Sequence, residues 1–243
     1  MPEHTVETGA YFISRNETTY QEYLDYLESL SLDERRARTP RIETGFHGAL
    51  TLEEVAPGRW QLTMQPNDVA YRALAGQALE YQARDRRTRQ DWLRFPVAGV
   101  TADDARAYAA WVDRTDRIPG ARLCTEHEWE RAARGADDRL YPHGDRLAPD
   151  DANFDETYGK RPAAFGPDEI GSHPASNSPF GVADLAGNVW EWTTSSIGPT
   201  GVAARGGSYF FARLVATSVN RQLPAPDFRD LTLGIRLCAN VRP

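Results

Sequence analysis

The spacing of apolar residues near the start of the chain predicts a strand followed by a helix. Residues 5–13 alternate loosely between apolar and polar positions, which is typical of a strand with Tyr11 and Ile13 on one face. Thr18 or Thr19 then begins a helix, because a Thr side chain can accept a free backbone N–H group of the first turn. Helical spacing places four side chains on the inner face, where we expect core packing: Tyr20, Tyr23, Leu24 and Leu27.

A polar segment and a hairpin follow. Residues 31–41 are charged and are expected to lie on the surface. Two β-rich runs within residues 48–64 flank Pro57-Gly58, a dipeptide typical of a tight turn, and together they predict a hairpin. Residues 84–89 (RDRRTR) form a local basic cluster, which is either a solvated insertion or an anchor for an acidic partner.

Two further helices are predicted from capping signals. Thr101 is followed by acidic residues that favour a helix N-terminus. The buried stripe of that helix is expected at Ala105, Tyr108, Ala109 and Val112. Thr125 and Glu128 form a capping box that begins a short helix, and Gly135 ends it. His127 is expected to be an exposed residue of this helix, and Trp129, Ala132 and Ala133 are expected to face inward.

Residues 141–174 show little regular pattern. They are rich in Pro, Gly, Asp and Asn, and loops this long usually carry function or bind ions. In residues 178–193 (SPFGVADLAGNVWEWT), two indoles flank Glu191 directly after Gly-Asn, which fits neither an amphipathic helix nor a simple alternating strand. One interpretation is a turn plus a core strand with a solvated Glu191. In the other, Asp184, Glu191 and main-chain carbonyls converge on a hard cation such as calcium.

Composition narrows the function classes. The chain has 243 residues and a net charge of −7, with 28 basic against 35 acidic residues, which argues against a nucleic-acid binder. No apolar run approaches the length of a membrane span, and residues 1–9 do not resemble a secretory signal. Cys124 and Cys238 are therefore expected to be reduced thiols in a cytoplasmic protein.

The motif at residues 178–193 resembles the central motif of the formylglycine-generating enzyme family, also called the sulfatase-modifying factor family. Other segments match in the family's order: FPVAGVT at 95–101, RLCTEHEWERAARG at 122–135, RGGSY at 205–209 and LGIR at 233–236. The resemblance covers nearly the whole chain and is weakest between about residues 30 and 93. It implies a single α+β domain over residues 1–243 with an elaborated C-type lectin fold: small antiparallel sheets, two or three helices and long loops.

The resemblance also implies structural calcium. The first of two candidate calcium sites, and the better supported, would use the side chains of Asp184 and Glu191 with the carbonyls of Gly187 and Val189. A second site would use the side-chain amide of Asn153 and a neighbouring carbonyl in Asn153-Phe154.

The family's copper chemistry is not expected here. Family enzymes that make formylglycine bind copper through two cysteines after the RGGS segment, since soft thiolates suit Cu(I). Aligned on that segment, Phe211 and Ala216 stand at the two positions, and neither side chain can bind a metal. We therefore expect no copper. Cys238 stands where the family has a structural cysteine and Cys124 where it usually has Pro, and both are expected to be buried thiols.

Other catalytic arrangements are not indicated either. The iron-dependent sulfoxide synthases of this family take their iron ligands from an extra helical domain, which these 243 residues do not resemble. A distributed three-histidine site stays open, although the histidines are better interpreted as scattered surface residues: His4, His47, His127, His143 and His173. Ser208 follows two glycines like a nucleophile, but the resemblance makes that Gly-Gly structural.

Residues 209–232 replace the family's active site and are the candidate ligand-binding surface. Their aromatic and arginine content is typical of binding hot spots. The alternative is that the aromatic side chains fill the former catalytic cleft as core, and the two interpretations are compatible. The candidate ligand-binding residues are Tyr209, Phe210, Phe211, Arg213, Leu214, Val215, Asn220, Arg221, Phe228 and Arg229.

Two non-catalytic branches of the family fit this pattern: domains associated with bacterial signalling proteins, often kinases, and the variable proteins of diversity-generating retroelements. The resemblance therefore predicts a calcium-stabilised, non-catalytic protein that binds a protein or peptide, with a kinase or other signalling protein as a candidate partner. No nucleic acid or membrane partner is expected. The alternative is a metal-dependent oxygenase or protein-modifying enzyme of the same superfamily.

Overall fold

Each α-helix begins with a capping box. The computed structural model describes residues 6–197 and 199–241, and within them lie α1 (Tyr20–Glu28), α2 (Leu32–Arg38), α3 (Ala102–Arg114) and α4 (Glu126–Arg134). Their N-caps are Thr19, Ser31, Thr101 and Thr125, and each cap hydroxyl accepts a backbone N–H while an acidic residue three positions later bonds back to the cap. These bonds satisfy two donors that a helix start otherwise leaves unpaired.

The buried faces of α1, α3 and α4 agree with the sequence-based prediction. The predicted apolar stripes of all three helices are buried, and Tyr26 joins that of α1. The helix α2 was not predicted, because the segment was interpreted only as a charged surface. It is a surface helix with no buried residue.

Twelve short strands form four sheets in the described part of the chain. They are β1 (Tyr11–Ile13), β2 (Arg41–Gly45), β3 (Gly48–Ala56), β4 (Arg59–Gln65), β5 (Tyr71–Leu74), β6 (Ala78–Glu80), β7 (Arg89–Asp91), β8 (Ala121–Leu123), β9 (Trp190–Thr194), β10 (Val202–Arg205), β11 (Leu233–Ile235) and β12 (Leu237–Asn240).

The sheets have the orders β1-β12-β8, β10-β9-β11, β2-β3-β4-β5 and β6-β7. All pairs are antiparallel except β11 with β9. The predicted hairpin is confirmed as β3 and β4, and the first strand is shorter than predicted, with Tyr11 and Ile13 sharing one face. The long segment between α4 and β9 contains only short 3-10 turns, in agreement with the predicted loop.

The two cysteines correct an expectation. Cys124, just before the N-cap of α4, forms a disulfide with Cys238 in β12, although reduced thiols were predicted. Both side chains are buried, as expected. The prediction was wrong about their state because it rested on the compartment inferred from the sequence, whereas the fold brings the two Cα atoms to 4.8 Å. The expectation of a cytoplasmic location rested on reduced thiols, so the disulfide removes that reason for it.

Candidate functional site

The segment 209–232 combines buried rings with an exposed outer face. Tyr209 is buried, whereas Phe211, Val215 and Phe228 are half-buried and pack against the main hydrophobic core. Leu214, in a short 3-10 turn, is 75% exposed. Core filling and surface display therefore occur together in this segment.

Phe211 lies at the centre of an aromatic cluster. Its ring centroid is 6.0 Å from Trp190, 5.7 Å from Phe210 and 5.0 Å from His47. His47 also contacts Phe210, at 4.5 Å. These separations are typical of edge-to-face packing, so a phenyl ring fills the position at which the resemblance places a copper-binding cysteine.

Ala216, at the second of these positions, packs against the Gly206-Gly207 turn. Gly207 has a φ of 77°, and a Cβ on it would come within 2.9 Å of the Ala216 Cα. The glycine is therefore required by close backbone contact, which fits a structural role for the Gly-Gly pair.

Asp230 forms the polar floor beside these rings. Its Oδ1 lies 2.9 Å from His47 Nδ1 and accepts bonds from the Thr232 backbone N–H and hydroxyl. Burial alone would raise the pKa of Asp230, but the hydrogen bonds from His47 and Thr232 outweigh it and lower the pKa below its usual value. Asp230 is therefore ionised at neutral pH.

Three buried polar atoms of this cluster have no hydrogen-bond partner among the described residues. They are Asp230 Oδ2, Tyr209 Oη and Trp190 Nε1. Burial, followed by the charge of Asp230, raises the pKa of Tyr209 well above its usual value. The Tyr209 hydroxyl is therefore neutral and close enough to Asp230 for its charge to act on it.

The arginines of the segment form intramolecular contacts. Arg213 pairs with Glu156, Arg221 lies 2.8 Å from Glu126, and Arg229 lies 2.7 Å from Asp104. Each was predicted as a candidate ligand contact, yet each already holds the segment against another part of the fold. The predicted Asn220 likewise donates to the Val215 carbonyl at 2.8 Å.

The first candidate calcium segment runs from Asp184 to Glu191 and is buried. Asp184 accepts the Gly171 N–H at 2.6 Å through Oδ2. The predicted carbonyl donors are those of Gly187, which has a φ of 84°, and of buried Val189. Gly187 allows the loop to approach Asn153, whose carbonyl would be 2.2 Å from any Cβ there.

Glu191 is not solvated. Its oxygens accept bonds from Arg236 at 2.7 and 2.9 Å, and Trp129 Nε1 donates to Oε2 at 2.5 Å. The interpretation of Glu191 as a surface acid is therefore wrong. The charge of Arg236 makes burial of this carboxylate possible.

A third carboxylate, Glu17, completes this buried acidic group and was not predicted. Glu17 accepts bonds from the Asn188 side chain at 2.8 Å and from the Val189 N–H. Burial, followed by the charges of Asp184 and Glu191, raises the pKa of Glu17 well above its usual value. Burial likewise raises the pKa of Asp184.

The group contains more carboxylates than cationic side chains. Glu17, Asp184 and Glu191 surround the single guanidinium of Arg236. The excess of carboxylates is what a calcium ion would neutralise, and Asp184 and the carbonyl groups are oxygen donors of the type that calcium prefers.

The second candidate calcium segment, Asn153-Phe154, is hydrogen-bonded to the loops around it. The Asn153 amide nitrogen donates to the Gly166 carbonyl at 3.0 Å, and the Phe154 carbonyl accepts the Thr157 N–H at 3.0 Å. The guanidinium of Arg84 donates to oxygens of the neighbouring loop, namely the carbonyls of Ala164 and Gly166 and the carboxylate of Asp168.

Residues 85–89 are exposed or half-buried, as the solvated interpretation of residues 84–89 predicts, but Arg84 is not. It is buried between the rings of Tyr81 and Tyr158, with centroids 3.4 and 4.0 Å away, rather than solvated. His173, predicted to be a surface residue, is buried as well, and its Nε2 lies 2.8 Å from Asp168. In the described part of the chain, no group of three His, Cys, Asp or Glu side chains is arranged to hold a metal ion.

Comparisons with known proteins agree with this architecture. The chain is 37% identical over 164 residues to the inactive C-alpha-formylglycine-generating enzyme 2 of Mus musculus, covering 61% of this chain and 50% of that protein. It is 31% identical over 205 residues to the hercynine oxygenase of Mycolicibacterium smegmatis, covering 82% of this chain and 40% of that protein. It is 39% identical over 104 residues to the serine/threonine-protein kinase pkn1 of Chlamydia caviae, covering 42% of this chain and 14% of that protein.

Solved structures share the fold at low sequence identity. PvdO from Pseudomonas aeruginosa superposes with a TM-score of 0.66 at 19% identity, covering 95% of this chain and 80% of PvdO. Variable protein 1 of Treponema denticola superposes with a TM-score of 0.54 at 17% identity, covering 83% of this chain and 91% of that protein. These likenesses confirm the predicted fold class.

No helix in the described residues is long and apolar enough to cross a membrane. The family model described as "Sulfatase-modifying factor enzyme 1-like domain" matches residues 1–241. The chain belongs to this family.

Proposed function

We propose that this protein is a non-catalytic, ligand-binding member of its family that binds a protein or peptide through residues 209–232. The observation that supports this most directly is the position of Phe211. Its ring packs between Trp190 and His47 at the point where the family resemblance places a copper-binding thiolate. A phenyl ring cannot bind copper, but a half-buried ring beside an exposed loop is suited to contact a partner.

The outer face of the segment supplies apolar contact area. Leu214, Val219 and Leu223 are exposed within it, and Phe46, 86% exposed in the β2–β3 turn, lies 6.3 Å from Phe228 by ring centroids. A group of exposed apolar side chains bordered by ion-paired arginines is the composition of an interaction surface.

The names of the similar proteins agree with a binding role. One relative is called inactive, one is a protein kinase, and one structure is a variable protein. We therefore place the partner among protein or peptide ligands, with a signalling kinase as one candidate. The proposal includes no nucleic acid or membrane partner. A cytoplasmic location is not part of it, since the Cys124–Cys238 disulfide is rare in that compartment.

The proposal includes one structural calcium ion, held by Asp184 and Glu191 with the carbonyls of Gly187 and Val189. The ion would add positive charge beside Arg236 and stabilise the loop that leads into β9. The test compares melting temperatures in EGTA and in calcium, for wild type and for a variant with Asp184→Asn and Glu191→Gln. Calcium should raise the wild-type value only; equal wild-type values in the two buffers would reject the ion.

The binding surface is tested by affinity capture with the whole chain as bait. Leu214→Glu puts a charge on the exposed face without entering the core, and Phe211→Ala with Arg213→Ala removes the central ring and an arginine. Both variants should recover less of a partner that wild type captures. Leu32→Glu is the matched control, because Leu32 is 65% exposed on α2, outside the segment. Equal recovery by wild type and Leu214→Glu would reject the surface.

An oxygenase or protein-modifying enzyme is the second candidate function. The similarity to hercynine oxygenase over 82% of this chain favours it, as does the His47–Asp230 pair beside the former copper position. Stoichiometric iron or copper in the purified protein would support this candidate and contradict the first.

A further inference from the structure

We propose that the floor of this surface binds a cationic side chain of the ligand, a lysine ammonium, with the Asp230 carboxylate as its acceptor. The inference rests on the proposed function, since it names the chemical group that the same surface recognises. It is carried by the unpaired Asp230 oxygen and by the rings around it.

The two oxygens of Asp230 are used unequally. Oδ1 receives the two bonds from Thr232 and lies next to His47 Nδ1, whereas Oδ2 has no partner in the described chain. Asp230 is only 1% exposed. A buried carboxylate oxygen without a donor is destabilising, so a donor from outside would be bound favourably there.

The negative charge of Asp230 favours a positively charged ligand group. Asp230 is ionised, and the neighbouring Tyr209 hydroxyl is neutral. An anionic group would be repelled, and an apolar group would leave Oδ2 unpaired. An ammonium group both donates to this oxygen and neutralises its charge.

The surrounding rings favour the same group. His47, Phe210, Phe211 and Trp190 form a continuous series of ring contacts with centroid separations of 4.5 to 6.0 Å. Aromatic faces attract cations, and the stem of a lysine can pack along apolar rings while its head reaches a carboxylate. The carboxylate thus supplies the charge and the rings supply the apolar walls.

A ligand would reach the floor past His47. This residue lies in the two-residue turn between β2 and β3, and its side chain is 18% exposed above Asp230. The adjacent Phe46 projects into solvent. A lysine that enters beside the turn meets the rings first and the carboxylate last.

The test titrates the whole protein with Nα-acetyl-lysine methylamide and follows the indole N–H resonance of Trp190 by NMR, assigned with Trp190→Phe. The uncharged isostere Nα-acetyl-norleucine methylamide is the paired probe. We expect a saturable shift with the lysine probe at millimolar concentrations and none with norleucine.

Two variants assign the effect to the named groups. Asp230→Asn keeps the Oδ1 acceptor and removes the charge, so lysine binding should weaken about tenfold or more. Asp227→Asn changes an exposed acid three residues away and should leave the affinity unchanged. Phe211→Leu keeps apolar volume without a ring and should weaken binding by about two- to fivefold.

Each contrary outcome overturns the inference. Equal shifts with both probes would mean an apolar slot, unchanged affinity in Asp230→Asn would exclude the carboxylate, and no shift with either probe would mean that the floor holds only water. None of these results affects capture of a partner by the outer face, which Leu214→Glu tests. The inference and the proposed function can therefore fail separately.

Discussion

Breaking the Cys124–Cys238 disulfide should cost the protein several kcal/mol of stability. The bond joins residues with a sequence separation of 114. In the chain-entropy description, closing a loop of about 100 residues contributes roughly 4.7 kcal/mol, and native disulfides typically contribute about 2–5 kcal/mol. For a chain of this size, each kcal/mol moves the melting temperature by roughly 2–4 °C. Reduction should therefore lower it by about 4–20 °C.

The assay is thermal unfolding of wild type and of a Cys124→Ala, Cys238→Ala variant, each with and without a phosphine reductant. The melting temperature of the wild type should fall on reduction. The melting temperature of the variant should be low both with and without the reductant. The variant also loses two buried sulfur atoms, so its difference from reduced wild type measures packing. A wild-type melting temperature that does not respond to the reductant, together with two thiols that are alkylated when the protein is denatured without reductant, would refute the disulfide.

Three further predictions concern buried charge. Glu17→Gln should raise the melting temperature at pH 8 and have little effect near pH 4, as measured in EGTA. Because the pKa of Glu17 is raised, the wild type loses stability as the pH rises through that pKa. If the variant and the wild type melt at the same temperature at pH 8 as well as near pH 4, the prediction is contradicted. Arg84→Met should cost about 3–5 kcal/mol in chemical unfolding, because it strands the buried carboxylate of Asp168. Arg89→Met, at an exposed ion pair, should cost under about 1 kcal/mol; equal costs would show that Arg84 is solvated. Arg236→Met should also cost about 3–5 kcal/mol, and calcium should restore part of it; a cost below 1 kcal/mol would contradict the buried pair.

Local signals in the sequence were sufficient to predict three of the helices and the hairpin. In each of these helices the capping residue and the apolar stripe that follows it indicate the same helix; the caps are Thr19, Thr101 and Thr125. The helix α2 has the same kind of capping box at Ser31, but it buries no side chain and therefore has no stripe to detect. Its amino-acid pattern is that of any charged surface segment.

The contacts that define the candidate site are long-range and leave no local pattern. His47 and Asp230 are 183 residues apart, and Arg84 and Asp168 are 84 apart. Arg84 looks solvated in the sequence, like the rest of its basic cluster, because its burial depends on the partner that the fold brings to it. The same holds for Cys124, whose partner lies in the last strand. The family resemblance supplied the fold and the position of the surface, whereas the polar floor became visible only in three dimensions.

The proposed function requires this member of the family to bind a ligand without redox chemistry. The most direct measurement is the metal content per chain of protein purified from cells supplied with copper and iron, for wild type and Asp230→Asn. We expect far less than one copper or iron per chain in both proteins. One copper or iron per wild-type chain, lost in the variant, would contradict it.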